Sequence, residues 1–370
     1  MSNTKNIPFF NYPALFKQHE QEYMDILHDV LSRGAYILQE DLLEFEKNLS
    51  EFLGIKHVFG VADGTNALIL ALHAAGIGQG DEVILPSHTY VATAASVHMV
   101  GAKPVLVECG RDHMIDVDSA KKHVTKNTKA IMPVQLNGRT SNMDAVREIA
   151  DELGLTIIED SAQALGSKYK GNPAGGFGFA GTFSFYPAKL LGCFGDGGAV
   201  VTNDDDAAEK LFLLRDHGRD HEGEVVGWGT NSRLDNMQAA ILNFKLKTYS
   251  DDIKRRREIA ARYEKGLSSL DTLLLPPAPV ANSDHFDVYQ NYEIEADSRD
   301  RLKEYLADKG IGTIVQFGGK PVHKYPLGFE DVSLPYTESV YDKALLLPMH
   351  MALSDEEVDY VIDAIQTFYI

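Results

Sequence analysis

Short apolar runs alternate with amphipathic segments between about residues 38 and 203. Runs of this length and composition are typical of strands buried on both faces, and the segments between them have helical periodicity. A repeated strand–helix pattern predicts an α/β fold with a parallel sheet that is covered by helices on both faces. The predicted strands are 57–61, 82–85, 104–107, 130–134, 155–158, 182–186 and 199–202, and helices over 66–75 and 144–153 are ended by Gly76 and Gly154.

The pattern changes after Asp235, where long helical segments follow one another to about residue 270. A proline-rich stretch at 276–279 then interrupts the chain, and strand-like and helical segments alternate again over 280–370. Because single cores stop growing at about 250–300 residues, a chain of 370 residues favours two domains. We predict a large domain over 1–250 and a small α+β domain over 251–370, bridged by a long helix.

Composition narrows the possible partners and the cellular compartment. The chain has 35 Lys and Arg residues against 54 Asp and Glu, a formal net charge of −19, which disfavours nucleic acid and anionic membrane surfaces. Two cysteines, Cys109 and Cys193, lack metal-ligand spacing and cannot form a disulfide framework, so we expect a reducing compartment, the cytoplasm. The opening residues contain no apolar signal core, and we expect no membrane span.

Three motifs invite a functional interpretation that their context does not favour. Residues 176–181 match G-x-G-x-x-G, but they follow a loop and precede a strand, whereas a dinucleotide site needs the opposite order. His217 and His221 have i, i+4 spacing, yet Gly218 interrupts the helix and no third metal ligand is evident. The basic run 254–257 has a helical pattern and is interpreted as a solvated face. We predict no metal site.

The turn after the first predicted strand is a stronger candidate. Gly64, Thr65 and Asn66 join that strand to a helix at the carboxyl end of the sheet. Such a turn directs free backbone N–H groups and the positive helix end toward an anion, and Gly64 permits close approach. A phosphate is the anion we expect there, although on this segment alone an ordinary N-capped helix is an equally good interpretation.

Two further residues share that edge of the predicted sheet. Asp160 follows a central strand, where open α/β sheets bind their ligands, although it could also be a helix cap. Lys189 leaves another strand into a glycine-rich loop, where desolvation can make an amine nucleophilic. A phosphate cradle, a carboxylate and a lysine together fit pyridoxal phosphate, which needs an anion site, a partner for its ring nitrogen and a lysine for its Schiff base.

Longer motifs in the same order resemble the DegT/DnrJ/StrS family of sugar aminotransferases. The resemblance covers essentially the whole chain and is strongest at 64–68, 86–94, 159–163, 184–189, 195–199 and 231–235. It implies the fold type I of pyridoxal-phosphate transferases, with a mostly parallel sheet in the large domain and a small C-terminal α+β domain.

The resemblance also implies roles for individual residues. Lys189 matches the lysine that binds the cofactor, and Asp160 matches the carboxylate at its ring nitrogen. Asn231 matches an asparagine that reaches the phosphate of a neighbouring subunit, so a homodimer with shared active sites is expected. The remaining matches are Tyr90 stacking on the ring, Gln163 near the ring hydroxyl, and Gly64, Thr65, Asn66 and Ser184 around the phosphate. Arg233, Lys320 and His323 are candidate substrate contacts.

The small domain departs from the family pattern at one point. Many relatives carry His-Tyr-Pro where this chain has Gln316, Phe317 and Gly318, so substrate recognition there is left open. The resemblance implies a nucleotide-linked keto sugar, UDP or dTDP, as amino acceptor and L-glutamate as donor. The Tyr-Ile-Leu stretch at 36–38 resembles 3-keto-sugar enzymes more than 4-keto enzymes.

Three other functions are to be compared with these sequence features. A sugar dehydratase of the same fold replaces the lysine by histidine, and Lys189 therefore favours transamination. A non-catalytic regulatory member would keep the cofactor cradle without reacting with glutamate. A nicotinamide oxidoreductase would need the 176–181 motif to begin a helix.

Overall fold

The computed structural model describes residues 5–369, so the first four of the opening residues, in which the sequence shows no apolar signal core, lie outside the described part. Thirteen helices and thirteen strands are found in this range. The strands are β1 His57–Val61, β2 Glu82–Pro86, β3 Lys103–Val107, β4 Thr128–Ile131, β5 Thr156–Asp160, β6 Lys168–Tyr169, β7 Asn172–Pro173, β8 Ala180–Ser184, β9 Gly198–Thr202, β10 Leu273–Leu274, β11 His285–Phe286, β12 Tyr292–Ala296 and β13 Ala344–Leu347. The helices are α1 Tyr12–Lys17, α2 Glu20–Arg33, α3 Glu40–Leu53, α4 Gly64–Ala74, α5 Val91–Met99, α6 Val117–Lys122, α7 Met143–Leu153, α8 Asp205–Arg215, α9 Asn236–Leu246, α10 Tyr249–Leu267, α11 Arg299–Asp308, α12 Pro335–Lys343 and α13 Asp355–Tyr369, with short 3₁₀ turns at Leu136–Gly138, Gln316–Gly319 and Val322–Lys324.

Seven strands form the central sheet in the order β1-β9-β8-β5-β4-β2-β3. The pairs from β8 to β3 are parallel, as predicted, but β9 is antiparallel to both of its neighbours. The prediction of a mostly parallel sheet is confirmed, and β9 is the exception. The physical reason is the connection: β8 returns to β9 through the loop 185–197, and no helix is available for the crossover that a parallel pair requires.

This topology gathers the candidate residues at one edge of the sheet. β1, β2, β5 and β8 all end there, and β9 begins there because it runs the opposite way. The turn after β1, the end of β5 and the loop between β8 and β9 therefore lie together. That edge is where ligands bind in open α/β sheets.

The predicted helices begin and end close to the expected residues. α4 begins at Gly64, two residues before the prediction, because the Asp63 side chain caps it. α7 is capped by Asn142 at its start and ends at Gly154, which adopts the left-handed conformation (φ 64°) that favours glycine. α4 is apolar on all sides because it packs between the sheet and neighbouring helices, with its core side chains fully buried.

The C-terminal part has its own core. β10, β12 and β13 form an antiparallel sheet against which α10, α11 and α13 pack. Ile7, near the N-terminus, joins this core and bridges to Ile311. Along α10, Ile253 belongs to a core of the large sheet and Ile259 to the C-terminal core. We therefore propose that the domain boundary lies within α10, a few residues after the predicted 250.

The basic run on α10 is not a solvated face throughout. Arg256 is buried, and its Nη1 donates to the carbonyl oxygens of Tyr289, Gln290 and Met349 at 3.0–3.1 Å. The prediction for 254–257 is therefore wrong at this residue, because carbonyls without other partners can solvate a buried guanidinium. No helix in residues 5–369 is both long and apolar enough to cross a membrane.

Two of the weak motifs form loops. The segment 176–181 wraps around the buried Glu159 carboxylate, which accepts backbone N–H groups of Gly175, Phe177 and Gly178, and it leads into β8. His221 stacks on Phe212 with ring centroids 4.1 Å apart and lies beside Glu209. The first motif thus does not begin a helix.

Candidate active site

The first turn of α4 forms one end of the candidate site. Asp63 Oδ1 accepts the backbone N–H of Asn66 at 2.8 Å, and Asp63 Oδ2 accepts its side-chain amide at 2.7 Å. The cap leaves the N–H groups of Gly64 and Thr65 without an intrahelical acceptor, as in every helix start. These two groups and the helix dipole are what an anion would meet.

Glycine is required at two positions around this turn. A Cβ atom on Gly64 would lie 2.9 Å from Ser184 Cβ, and one on Gly198 would lie 2.5 Å from the carbonyl carbon of Asp63. The end of β8 and the start of β9 thus press against the helix start. Ser184, predicted at the phosphate, contributes its hydroxyl beside Gly64, and the cradle suits a phosphate group.

Asp160 lies at the end of β5, almost fully buried. Its Oδ2 accepts the Thr93 hydroxyl at 2.7 Å and its Oδ1 accepts the backbone N–H of Ala162 at 3.2 Å. Burial raises the pKa of Asp160, although both hydrogen bonds and the nearby Lys189 ammonium act against the rise. A desolvated carboxylate of this kind binds a protonated ring nitrogen strongly.

Lys189 occupies the turn that follows β8. Burial lowers its pKa to about 8, while the charge of Asp160 acts in the opposite direction. A lysine with this pKa has an appreciable neutral fraction near pH 7, which nucleophilic attack and proton transfer both require.

The backbone on both sides of Lys189 is held by one side chain that the sequence did not indicate. Gln290 Nε2 donates to the Ala188 carbonyl oxygen at 2.8 Å, and the Leu190 N–H donates to Gln290 Oε1 at 2.7 Å. Gln290 lies about a hundred residues further along the chain, so no local motif marks it. These two hydrogen bonds fix the position of the Lys189 backbone at the sheet edge.

Tyr90 and Gln163 complete the predicted ring contacts. Tyr90 precedes α5, is 58% exposed, and has its ring centroid 5.9 Å from that of Phe317. An exposed aromatic ring has a face free for stacking. Gln163 Oε1 accepts the backbone N–H of Asn137 at 2.8 Å, which leaves its NH₂ group for another partner.

The predicted substrate contacts are placed differently. His323 is buried, with Nδ1 2.7 Å from Ser87 Oγ and Nε2 3.1 Å from Glu338 Oε1. Both ring nitrogens thus have partners within the fold, so His323 links the end of β2 to α12, and its contact with a substrate stays a prediction.

The other two substrate candidates and the intersubunit candidate lie nearer the surface. Lys320 is exposed, and Arg233 is paired with Asp216. Asn231 is exposed and forms a bridge with Asp216. Their contacts with substrate or with a second subunit remain predictions.

The described residues fit pyridoxal phosphate at three points. The Gly64 turn would hold the phosphate, Asp160 the ring nitrogen, and Lys189 the reactive carbonyl carbon. The fit follows from the close approach at Gly64, the buried carboxylate and the desolvated amine, which the topology places at one edge.

Comparison with known families agrees with this geometry. The sequence model of the DegT/DnrJ/EryC1/StrS aminotransferase family matches residues 17–366. The chain belongs to this family. The resemblance drawn from the sequence motifs is therefore confirmed.

Similar proteins carry several names. The dTDP-3-amino-3,4,6-trideoxy-alpha-D-glucose transaminase of Streptomyces venezuelae is 40% identical over 99% of this chain and 97% of its own. The UDP-2-acetamido-2-deoxy-3-oxo-D-glucuronate aminotransferase of Pseudomonas aeruginosa is 37% identical over 91% and 93%. A protein of Geobacillus stearothermophilus that is 39% identical over 98% and 99% is named a pleiotropic regulatory protein.

Solved structures show the same architecture. DesV of S. venezuelae, in complex with a ketimine intermediate, superposes with a TM-score of 0.93 at 40% identity, covering 99% of each chain. NtdA of Bacillus subtilis, with bound cofactor PMP, gives a TM-score of 0.89 at 29% identity over 99% of this chain and 86% of that one. The chain is a pyridoxal-phosphate-dependent aminotransferase of fold type I, as the motifs predicted.

Proposed function

We propose that the enzyme transfers the amino group of L-glutamate to a nucleotide-linked keto sugar, giving an amino sugar and 2-oxoglutarate. The observation that carries the proposal is that the buried Asp160 carboxylate and Lys189, whose pKa burial lowers to about 8, lie close enough to influence each other's pKa at the sheet edge that also holds the Gly64 turn. The dTDP- and UDP-sugar substrates in the names of the two transaminase relatives support a nucleotide sugar as acceptor.

The residues divide the work between proton transfer and charge stabilisation. When bound, pyridoxal phosphate supplies the electron sink that makes the α-proton of glutamate acidic. Lys189, in its neutral form, would accept that proton at Nζ and carry it between the α-carbon of glutamate and the cofactor. Asp160 would keep the ring nitrogen protonated, and the first turn of α4 would hold the phosphate so that the reacting atoms stay beside the amine. The same groups act in reverse on the sugar ketone.

We favour a 3-keto sugar over a 4-keto sugar. The segment 33–39, whose Tyr-Ile-Leu stretch resembles the 3-keto enzymes, contacts the Arg233 region: Ile37 bridges Asp235, and the Asn236 N–H donates to the Tyr36 carbonyl oxygen. Both transaminase relatives have names that place nitrogen or a keto group at carbon 3.

A substrate screen tests the function. The screen uses glutamate as donor and UDP- and dTDP-linked 3-keto and 4-keto sugars as acceptors. We expect continuous, multiple-turnover formation of 2-oxoglutarate only with a 3-keto substrate. NMR of the product should show nitrogen on carbon 3. A 4-amino product would refute the regiochemistry, and no turnover with any keto sugar would refute the function.

The regulatory name of the Geobacillus relative supports one alternative, a non-catalytic regulatory function. A non-catalytic member would bind the cofactor without converting glutamate to 2-oxoglutarate. Lys189 favours catalysis, and it also separates this chain from dehydratases that carry histidine at this position. Formation of one equivalent of 2-oxoglutarate per bound cofactor, without any sugar, distinguishes the enzyme from a regulator.

The two buried free cysteines, Cys109 and Cys193, support the predicted cytoplasmic compartment.

We further propose a homodimer in which Asn231 serves the partner's phosphate site. Next to Asn231, Trp228 is 98% exposed, and Val225 and Val226 are 65% and 59% exposed. A contiguous apolar loop of this kind is typical of a surface that another chain covers. A second copy of this chain is the occupant that the shared-site prediction requires.

Mixing two inactive variants tests the shared site. In a dimer of one Lys189→Ala and one Asn231→Asp subunit, Asn231 acting across the interface places both defects in one site and leaves the other intact. Random 1:1 mixing should then restore about a quarter of wild-type activity, since half of the dimers are mixed and each has one working site. If activity stays at the level of the separate variants, Asn231 does not act in trans.

A further inference from the structure

A buried network of polar side chains lies behind Gln163 and has no part in the roles assigned above. Its centre is Glu293 on β12, 3% exposed, with His88 and His113 beside it. Glu293 Oε2 lies 2.8 Å from His113 Nδ1 and 3.3 Å from His88 Nε2. Burial opposes ionisation, but the two histidines outweigh it and hold the pKa of Glu293 well below its usual range.

The histidine side of the network carries positive charge. Burial alone would lower the pKa of His113, but Glu293 and Glu295 raise it to about 10. His113 Nε2 lies 3.2 Å from Glu295 Oε1, so the protonated ring can donate to both carboxylates. The titratable groups that face Glu293 from surrounding elements are His88, His113, Cys109 and Tyr341. Glu293 is therefore an ionised carboxylate, which can only accept hydrogen bonds.

An acceptor-only Glu293 fixes the orientation of two amides. Asn137 must present its Nδ2 to Glu293 Oε2, at 2.7 Å, and Gln316 must present its Nε2 to Glu293 Oε1, at 2.9 Å. Asn137 Oδ1 consequently faces donors, namely Gln316 Nε2 at 2.7 Å and Asn291 Nδ2 at 2.9 Å.

The orientation is passed to Gln163 through the backbone of Asn137. Asn137 has φ 56° and ψ 12°, a left-handed conformation that asparagine tolerates better than most residues. In this conformation its N–H donates to Gln163 Oε1 at 2.8 Å, and Asn291 Nδ2 lies 3.4 Å from the same oxygen. The Gln163 oxygen is thus occupied by donors, and its NH₂ group is the end left for the cofactor.

We propose that Glu293, Gln316 and Asn137 are positioning residues that hold Gln163 as a hydrogen-bond donor to the ring hydroxyl oxygen of the cofactor. The inference rests on the assigned cofactor and is independent of the identity of the sugar. A donated N–H stabilises negative charge on that oxygen and lowers the pH at which the bound cofactor loses its proton. The network thereby sets the protonation state in which the enzyme meets glutamate.

The histidines and Glu293 also have the side-chain types of a metal site, and their ligand atoms lie within 4.8 Å of one another. The geometry favours an ion pair instead. The 2.8 Å separation of His113 Nδ1 and Glu293 Oε2 is that of a charge-assisted hydrogen bond, and the same oxygen accepts Asn137 Nδ2. A cation there would face the amide N–H.

Spectrophotometric pH titration of the loaded enzyme tests the proposal without any sugar. Glu293→Gln and Gln316→Leu should each raise the pH midpoint of the cofactor's visible band by about 0.5–1 unit. Each substitution removes a side-chain partner that holds Asn137 in its left-handed conformation, so the Asn137 N–H can move away and Gln163 can turn its oxygen toward the ring. Glu108→Gln is the matched control, since Glu108 accepts Thr337 N–H and hydroxyl groups at α12 and has no bond to Asn137. Its midpoint should not move.

A double-variant comparison separates positioning from a general structural effect. Gln163→Ala should raise the midpoint at least as far as Glu293→Gln, and adding Glu293→Gln to Gln163→Ala should cause no further shift. Additive shifts, or unshifted midpoints in both Glu293→Gln and Gln316→Leu, would overturn the proposal. If Glu293→Gln fails to fold, the same titration of Gln316→Leu tests the proposal. Stoichiometric metal in the purified wild-type protein would also contradict the proposal. Failure of the sugar screen would leave this titration unaffected.

Discussion

Lys189→Ala is expected to abolish the visible absorbance of the lysine-bound cofactor and to lower the turnover rate by about 10⁴-fold or more. The substitution removes the amine that attaches the cofactor and moves the proton. The phosphate cradle and Asp160 are untouched, so the variant should still bind the cofactor, without a covalent link. Absorbance spectra and single-turnover formation of 2-oxoglutarate from glutamate measure the two effects separately.

Lys245 provides a matched control for that experiment. Burial also lowers the pKa of Lys245 to about 8, and its Nζ donates to the carbonyl oxygen of Gly192 in the same loop. If a low pKa near the loop were sufficient, either lysine could serve. Lys245→Met should keep the visible band and the glutamate half-reaction. Full activity in Lys189→Ala, or loss of the band only in Lys245→Met, would overturn the assignment.

The residues that the sequence identified share one property, which is that they follow predicted strands. Gly64, Asp160 and Lys189 each come directly after a short apolar run, and strand ends that point the same way meet at one sheet edge. Their proximity could therefore be predicted from the order of strands and helices. The direction of β9 could not, because an apolar run has the same appearance in a parallel and an antiparallel pair.

The residues that the sequence did not identify come from distant segments with no local signature. Glu293 meets Asn137 across 156 positions, and Gln290 clamps the Lys189 loop across about a hundred. A buried glutamate in an alternating strand has the same sequence pattern as a surface one. The burial of His323 could not be predicted for a related reason, since a histidine three residues after Lys320 gives no indication of burial. Only packing decides these cases.

The net charge of −19 also bears on how the protein binds its ligands, besides disfavouring nucleic acid. The cofactor and the two proposed substrates, glutamate and a nucleotide sugar, are all anions, so an acidic surface cannot attract them, and their capture must be local. The N–H groups at the start of α4 supply that attraction without a formal charge. Lys320, which is exposed, remains the predicted cation for the substrate, whereas Arg233 is paired with Asp216.

Asp160→Asn is expected to slow both half-reactions by about 10³-fold, close to 4 kcal/mol of transition-state stabilisation. The amide has nearly the shape of the carboxylate and can keep the Thr93 hydroxyl and Ala162 N–H as neighbours. It cannot, however, provide the negative charge that keeps the ring nitrogen protonated. Because that charge serves glutamate and the sugar ketone alike, single-turnover rates should fall in both directions, while Lys189 keeps its visible band.

Thr93→Val separates the charge of Asp160 from its placement. The variant removes the 2.7 Å hydrogen bond to Oδ2 and leaves the carboxylate in position, so we expect a loss of about tenfold or less. Burial raises the pKa of Asp160 and the Thr93 bond lowers it, so Thr93→Val should move the acid limb of the pH–rate profile to higher pH. Equal rates in Asp160→Asn and wild type would show that the ring nitrogen is not held by this carboxylate. A defect confined to the glutamate half-reaction would instead place Asp160 at the donor rather than at the cofactor.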